Sequence, residues 1–376
     1  MQQQPLTSPL VDLFLELAAI PSPPGRERAV ADRVLAELAD IGLTAYEDEA
    51  GASIDSTIGN ILCRVPGRGE EGTPLFLCAH LDTVPPEGTI EPIVDEGVVR
   101  NAAGTILGAD NKSAVAVMLA AARRIVAEGI PHGGVELLFT PKEEVGLRGA
   151  YAFDHARLEA ELGFVFDQAA PIGEIILGAP TQKSIRARFH GRAAHAGMYP
   201  EEGRSAILAA ARAIGDMRLG RIDDRSSANV GVIEGGVARN IIPEWCTISA
   251  EARSRNPGTV AELVQEMVDA IAFAASTSDC TVETEVEHTY AGYSFAPDAP
   301  VVALAAEGLR RAGYEPSTAF SGGGADANVF NERGLPCVNL ANGMIDIHTA
   351  DERIAVEDLE AMVDVTLEIV GAARGH

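Results

Sequence analysis

The chain has 376 residues, 47% hydrophobic and 22% charged, with a formal net charge of −26. That length exceeds the usual size of one hydrophobic core and predicts two domains, with the composition of a soluble globular protein. An acidic surface repels phosphate backbones and so excludes nucleic acid as the expected partner; solubility alone accounts for the acidity.

Met1 to Gly25 has no cationic start, and Asp12 and Glu16 interrupt its apolar stretch. Leu10, Leu13, Phe14 and Leu17 recur at helical spacing, so an amphipathic helix is expected rather than a signal peptide. No window offers 18 uninterrupted apolar residues. No membrane span is therefore expected, and a cytoplasmic location is. The five cysteines, Cys63, Cys78, Cys246, Cys280 and Cys337, include no C-x-x-C pair. Free buried thiols are expected, not a disulfide framework or a cysteine-built zinc site.

Pro21-Ser22-Pro23-Pro24-Gly25 reads as a turn, followed by a helix at roughly 26–41. Short apolar runs then alternate with helical patterns. Leu75–Ala79 ends at His80, Val135–Thr140 ends before Pro141, and Phe164–Phe166 ends at Asp167. Val338–Leu340 follows Pro336 and precedes a loop with His348. A long helix is expected over Ser113–Glu128. The alternation predicts an α/β fold with a mostly parallel sheet flanked by helices, its strands apolar on both faces. From about 180 to 290 the pattern changes to a half-exposed strand, a helix near 204–217, a strand pair near 228–252, a helix near 258–276 and a last alternating strand from Thr281. This predicts an inserted α+β domain over 180–291, with 1–179 and 292–376 forming the other domain.

His80 and His348 stand at the ends of apolar runs, and a lone histidine there is more often structural than a ligand. Asp110, the adjacent Glu143 and Glu144, and Asp167 likewise each have a dull reading as a cap, a solvated turn or a strand terminator. Taken together they put metal-ligand chemistry at the carboxyl ends of predicted strands, the edge at which open α/β sheets bind ligands. Imidazole with carboxylate suits zinc, and five ligands exceed what one catalytic zinc with an open position uses. Two divalent ions sharing a carboxylate match the set better; such a pair acidifies a water and polarises a carbonyl. A separate base is then needed for the proton, and one of Glu143 and Glu144 is free to serve.

The motifs His80-x-Asp82, Gly108-Ala109-Asp110-Asn111-Lys112, Glu143-Glu144-x-Gly146, Asp167 and His348-Thr349 resemble, in order and approximate spacing over nearly the whole chain, those of the co-catalytic zinc aminoacylase/carboxypeptidase family. Ile20-Pro21-Ser22, His80-Leu81-Asp82-Thr83-Val84 and Ser321–Asn328 are similar to its peptidase T-like branch. The resemblance implies a dinuclear metallopeptidase acting on a small peptide, tripeptide aminopeptidase-like, with deacylation of an N-acyl amino acid as the alternative. It implies that Asp110 bridges two ions, that His80 and Asp167 complete one site and Glu144 and His348 the other, that Glu143 is the general base and that Asp82 orients His80. Zinc is the expected metal, and manganese or cobalt suit the same ligands. A cis peptide after Asp110 is implied, as is a homodimer formed through the inserted lid. His195, in Ala194-His195-Ala196-Gly197, resembles a histidine that stabilises the oxyanion in a neighbouring subunit's site. Asn240 and Arg253 resemble substrate-binding positions, Arg253 suiting a substrate carboxylate. The Gly322–Gly324 run, centred on Gly323, offers backbone N–H groups to a carboxylate or is a plain turn. Two residues depart from the pattern: Ala325 stands where relatives often carry serine, and Asn111 where many carry aspartate. His132, His155, His190, His288 and His376 lie outside any ligand pattern, and Trp245 is expected to pack the lid.

Overall fold

The computed structural model describes residues 8–69 and 72–375. His376 lies outside them. The chain divides into two compact units. One comprises the chain up to Gly178, Ser294–Ser321 and the stretch from Ala325; the other comprises Ala179–Tyr293 and Gly322–Gly324. The glycine run thus groups with the inserted unit, although it lies outside the 180–291 expected from sequence.

The first unit is built on a nine-stranded sheet. Its order is Ala45–Glu47, Ile61–Val65, Val135–Thr140, Leu75–His80, Leu162–Gln168, Cys337–Ala341, Glu174–Ala179 and Tyr293–Ser294, with Ser317–Phe320 alongside Glu174–Ala179. The four strands at its centre are mutually parallel, and antiparallel pairs lie towards the edges. Every residue of Leu75–His80 and of Val135–Thr140 is buried, as strands covered on both faces must be. Leu75, Leu77 and Ala79 belong to a core shared with Val115, Leu119, Leu304 and Met362 of three helices. On the opposite face Phe76 meets Phe330 of helix Asp326–Glu332, ring centroids 4.7 Å apart. His80 stands opposite Thr140, and Cys78 opposite Val165, so three adjacent strands end at one edge of the sheet. A three-stranded sheet of Pro92–Asp95, Val98–Asn101 and Arg353–Ala355 was not expected from sequence.

The second unit is a five-stranded antiparallel sheet ordered Gly220–Asp223, Ser226–Gly235, Trp245–Ser254, Thr181–His190 and Thr281–Tyr290. Ile185, Ala187, Phe189, Ile248 and Ala252 alternate onto one face and are buried under helices Ala206–Asp216 and Pro257–Thr277. Both helices start on side-chain caps: Ser205 accepts from the Leu208 N–H, and Asn256, followed by Pro257, accepts from Gly258 and Thr259. The opposite face is polar, with Arg188 opposite Glu283 and Arg186 opposite Glu285. Trp245 lies on this polar face, 40% exposed, and packs there against other residues of the same unit. Its ring stacks on His190 at 4.0 Å, and the Arg188 guanidinium sits 3.9 Å from its centroid. Among the described residues no helix is long and apolar enough to cross a membrane, and the five cysteines are free thiols.

Candidate active site

His80 ends its strand, and acids from the start of helix Ala109–Glu128 and from strand Leu162–Gln168 stand against it. The Nε2 of His80 lies 3.0 Å from Asp110 Oδ1 and 3.7 Å from Asp167 Oδ1. On the other side of Asp110, His348 Nε2 lies 3.2 Å from Oδ2 and 3.1 Å from Glu144 Oε1. The two oxygens of Asp110 therefore face different imidazoles. Ligand atoms of His80, Asp110 and Glu144 lie within 4.8 Å of one another, as do those of His80, Glu143 and Asp167.

Each of these side chains is held from behind. Asp82, fully buried, accepts from the backbone N–H of Glu143 at 2.9 Å and of Glu144 at 3.1 Å, and its Oδ1 is 3.5 Å from His80 Nδ1. Its backbone carbonyl accepts from the same Nδ1 at 2.8 Å if that nitrogen carries the proton. One carboxylate thus aligns the loop that carries both glutamates as well as the histidine. Ser22, from the early Pro-rich turn, donates its hydroxyl to the Leu81 carbonyl at 2.8 Å, and its own carbonyl accepts from Thr83 at 3.0 Å. Asn339 accepts from the Asp167 N–H at 2.8 Å and donates to the Asp167 carbonyl at 3.0 Å.

Asp110 begins the helix Ala109–Glu128 in non-helical geometry, and the Asp110–Asn111 peptide is cis. Gly108 precedes it at φ +80°, a conformation that glycine adopts without steric cost. Glu352 secures this turn: one oxygen accepts from Leu107 and Gly108 at 2.7 and 2.8 Å, the other from Asp110 at 2.9 Å. Asn111 is fully buried, and its side-chain amide has no hydrogen-bond partner among the described residues.

Crowding four carboxylates around two imidazoles sets the protonation. Burial opposes charge on His80, but Asp110 and Asp167 outweigh it and hold the imidazole well above its ordinary pKa. Hydrogen bonds to the Asp110 and Glu144 carboxylates push His348 up to about 10. Burial raises Glu143 well above the usual carboxylate range, and Asp167 and Asp326 add to this. Asp167 is raised in the same way, by burial and then by Asp110. In this cluster protons do what cations would otherwise do, and its nitrogen and oxygen donors are those that divalent zinc-like ions take.

In the second unit the sequence-derived positions fall into two groups. His195 is exposed; its Nδ1 accepts from the N–H groups of Gly197 and Met198, both at 3.2 Å, so the neutral ring carries its proton on Nε2. Ala196 donates to the Asn240 carbonyl at 3.0 Å, and His195 bridges to Ile241, which joins the His195 and Asn240 loops. Arg253 is paired elsewhere, with Glu251, its Nη1 3.5 Å from the Gly322 carbonyl. Gln182 faces Arg253 in the register while His190 ends the same strand next to the His195 loop. The two groups therefore stand at opposite ends of a strand, roughly 25 Å apart along it. Gly324 lies against Tyr290, where a Cβ would come within 2.4 Å of the ring, a packing reason for one glycine of the run.

Glu352, Asn339 and Asp326 are supports that sequence reading did not identify. Glu352 lies only four residues after His348, yet nothing in a single sequence separates it from the exposed acids around it. His132, His155 and His190 lie outside the ligand cluster: His132 is buried beside Gly134, His155 packs between Phe153 and Phe330, and His190 stacks on Trp245.

Residues 76–372 match peptidase family M20/M25/M40. The chain belongs to this family. It is 36% identical to a tripeptidase from Staphylococcus aureus, with a TM-score of 0.90 over 98% of both chains. It is 37% identical to the aminopeptidase PepT from Bacillus cereus, with a TM-score of 0.84 over 97% of this chain and 98% of that one. Peptidase T of Serratia proteamaculans is 29% identical over 276 residues, covering 70% of this chain and 65% of that protein. The match to the M20 peptidase spans both units, and the solved relatives share the central sheet with its flanking helices.

Proposed function

We propose that this M20 peptidase is a dinuclear metal-dependent aminopeptidase that releases the N-terminal residue of tripeptides. The observation that carries the reading is Asp110, whose two oxygens face His80 and His348 separately. Asp110 would be shared by two ions, His80 and Asp167 completing one set of ligands and Glu144 and His348 the other. When bound, two such ions acidify a water and polarise the scissile carbonyl. Zinc is the proposed metal. The likeness to a tripeptidase and to PepT over nearly the full chain supports a tripeptide as substrate.

Glu143 takes the proton from the attacking water and delivers it to the leaving amine. Asp82 fixes its backbone beside the other carboxylates of the site. Asp82 also aligns His80. His195 donates from Nε2 to the oxygen of the carbonyl as negative charge develops there. Asn240 and the Gly323 backbone contact the peptide, and Arg253 holds its terminal carboxylate. His195 and Arg253 of one chain are too far apart along the strand to reach one tripeptide, which spans about 10 Å when extended. This supports a homodimer, formed through the inserted lid, in which His195 and the adjoining Asn240 serve a second copy's site.

The test is a substrate panel of tripeptides, dipeptides and N-acetylated or N-succinylated amino acids, read by mass spectrometry. Release of a free N-terminal residue from tripeptides is expected. Turnover confined to N-acyl amino acids would replace this reading with a deacylase.

A further inference from the structure

Glu251 and Arg253 are two residues apart on strand Trp245–Ser254 and so share its polar face, while Ala250 and Ala252 point into the core. Arg253 donates from Nε and Nη2 to the two oxygens of Glu251, both at 3.0 Å. Gln182, directly across from Arg253 in the register, donates to Glu251 Oε2 at 2.7 Å. Both members of the ion pair are half-buried, at 28% and 32% side-chain exposure, so solvent competes less than at an open surface.

A guanidinium is a planar fork with two edges that can receive a carboxylate. Glu251 occupies the side edge, Nε with Nη2. The end edge carries Nη1, which lies 3.5 Å from the Gly322 carbonyl, the limit of a hydrogen bond. An arginine already held in one rotamer loses less side-chain freedom when it binds a second carboxylate.

We propose that Glu251 is a positioning residue: steadied by Gln182, it holds Arg253 side-on so that the end edge receives the C-terminal carboxylate of a peptide. Glu251 thereby sets the preference for peptides with a free C-terminus over those with a blocked one. The proposal rests on the reading of Arg253 as the carboxylate-binding group of the proposed aminopeptidase.

The test compares one tripeptide with its C-terminal amide, measuring KM and kcat separately. The wild-type protein should show a KM for the amide about tenfold above that for the acid. Glu251→Gln, which leaves an N–H₂ facing an arginine donor, should raise the KM of the acid about tenfold and hold its kcat within about twofold. The KM of the amide should not change. Arg253→Ala should lose the same preference, and the double variant no more than either alone, as two residues acting as a unit behave. If Glu251→Gln does not fold, Gln182→Ala tests the same clamp, with a several-fold rise in the acid KM alone as the expected result. Acid preference kept in Glu251→Gln, or kcat lowered alike for both substrates, overturns the proposal while leaving Arg253 in its role. No acid preference in the wild type, or preference kept in Arg253→Ala, shows instead that Arg253 is misassigned, and the proposal falls with it.

Discussion

Replacing Glu352 by glutamine perturbs the proposed metal ligands without touching one. The carboxylate is 2% exposed and accepts three backbone N–H groups, from Leu107, Gly108 and Asp110, at 2.7–2.9 Å. Glutamine keeps one acceptor oxygen, which suits the Leu107 and Gly108 pair, and turns an N–H₂ toward the Asp110 N–H. One charge-assisted bond is lost, two become neutral, and a buried donor faces a donor. Bonds to a charged group contribute about 1.5–3 kcal/mol and neutral ones about 1, so the loss is about 3 kcal/mol. Part is offset because burial, and to a lesser degree Asp110, already raise the Glu352 pKa and make its charge costly. Denaturant unfolding should read 2–4 kcal/mol of destabilisation, on the order expected from these bonds. Because the turn carries Asp110, competition with a chromogenic chelator should show divalent-ion affinity about 10–100-fold weaker, the usual effect of removing a ligand's support. Stoichiometry should stay near two. Unchanged affinity together with unchanged stability would refute the argument that this clamp positions Asp110.

Glu143→Ala should keep both ions, measured by elemental analysis, and lose at least about a hundredfold in kcat, the lower end of general-base contributions; retained turnover would remove Glu143 from its role. Asp326 lies buried under the site, accepting from Thr140 at 2.5 Å, and burial raises its pKa to about 6. A carboxyl raised in the folded state stabilises below its unfolded pKa near 3.8, and that contribution is lost as pH rises through about 6. Metal-free Asp326→Asn should therefore lose the part of the stability slope between pH 4 and 6 that amounts to about 3 kcal/mol. An identical slope in the variant would show that Asp326 is not the group responsible.

Two of the proposed ligands were legible because they stand at the end of an uninterrupted apolar run, which locates a strand terminus without any knowledge of tertiary contacts. His80 after Leu75–Ala79 and Asp167 after Phe164–Phe166 are such cases, and parallel pairing brings both to one edge. The supports were not legible because their partners are remote. Glu352 meets Leu107 across 245 positions, and Asn339 meets Asp167 across 172. No local pattern marks such an acid or amide as buried. Short strands were missed for a related reason: Pro92–Asp95 and Val98–Asn101 each have four residues, too few for alternation to stand out. Trp245 packs within the inserted unit as expected, and strand alternation puts that packing on the polar face, stacked on His190. Arg253 illustrates a different limit. Its place in the sequence suggested a carboxylate partner, and the structure supplies one from the same strand, Glu251.

The central claim is that the Asp110 cluster holds two ions that peptide cleavage requires. The direct measurement is tripeptide hydrolysis by chelator-stripped protein as zinc, manganese or cobalt is titrated back, with bound metal counted in parallel. The account predicts no cleavage in the stripped protein and recovery of N-terminal residue release that saturates near two ions per chain. Cleavage that persists in the stripped protein, or a chain that binds none of these ions, would contradict it.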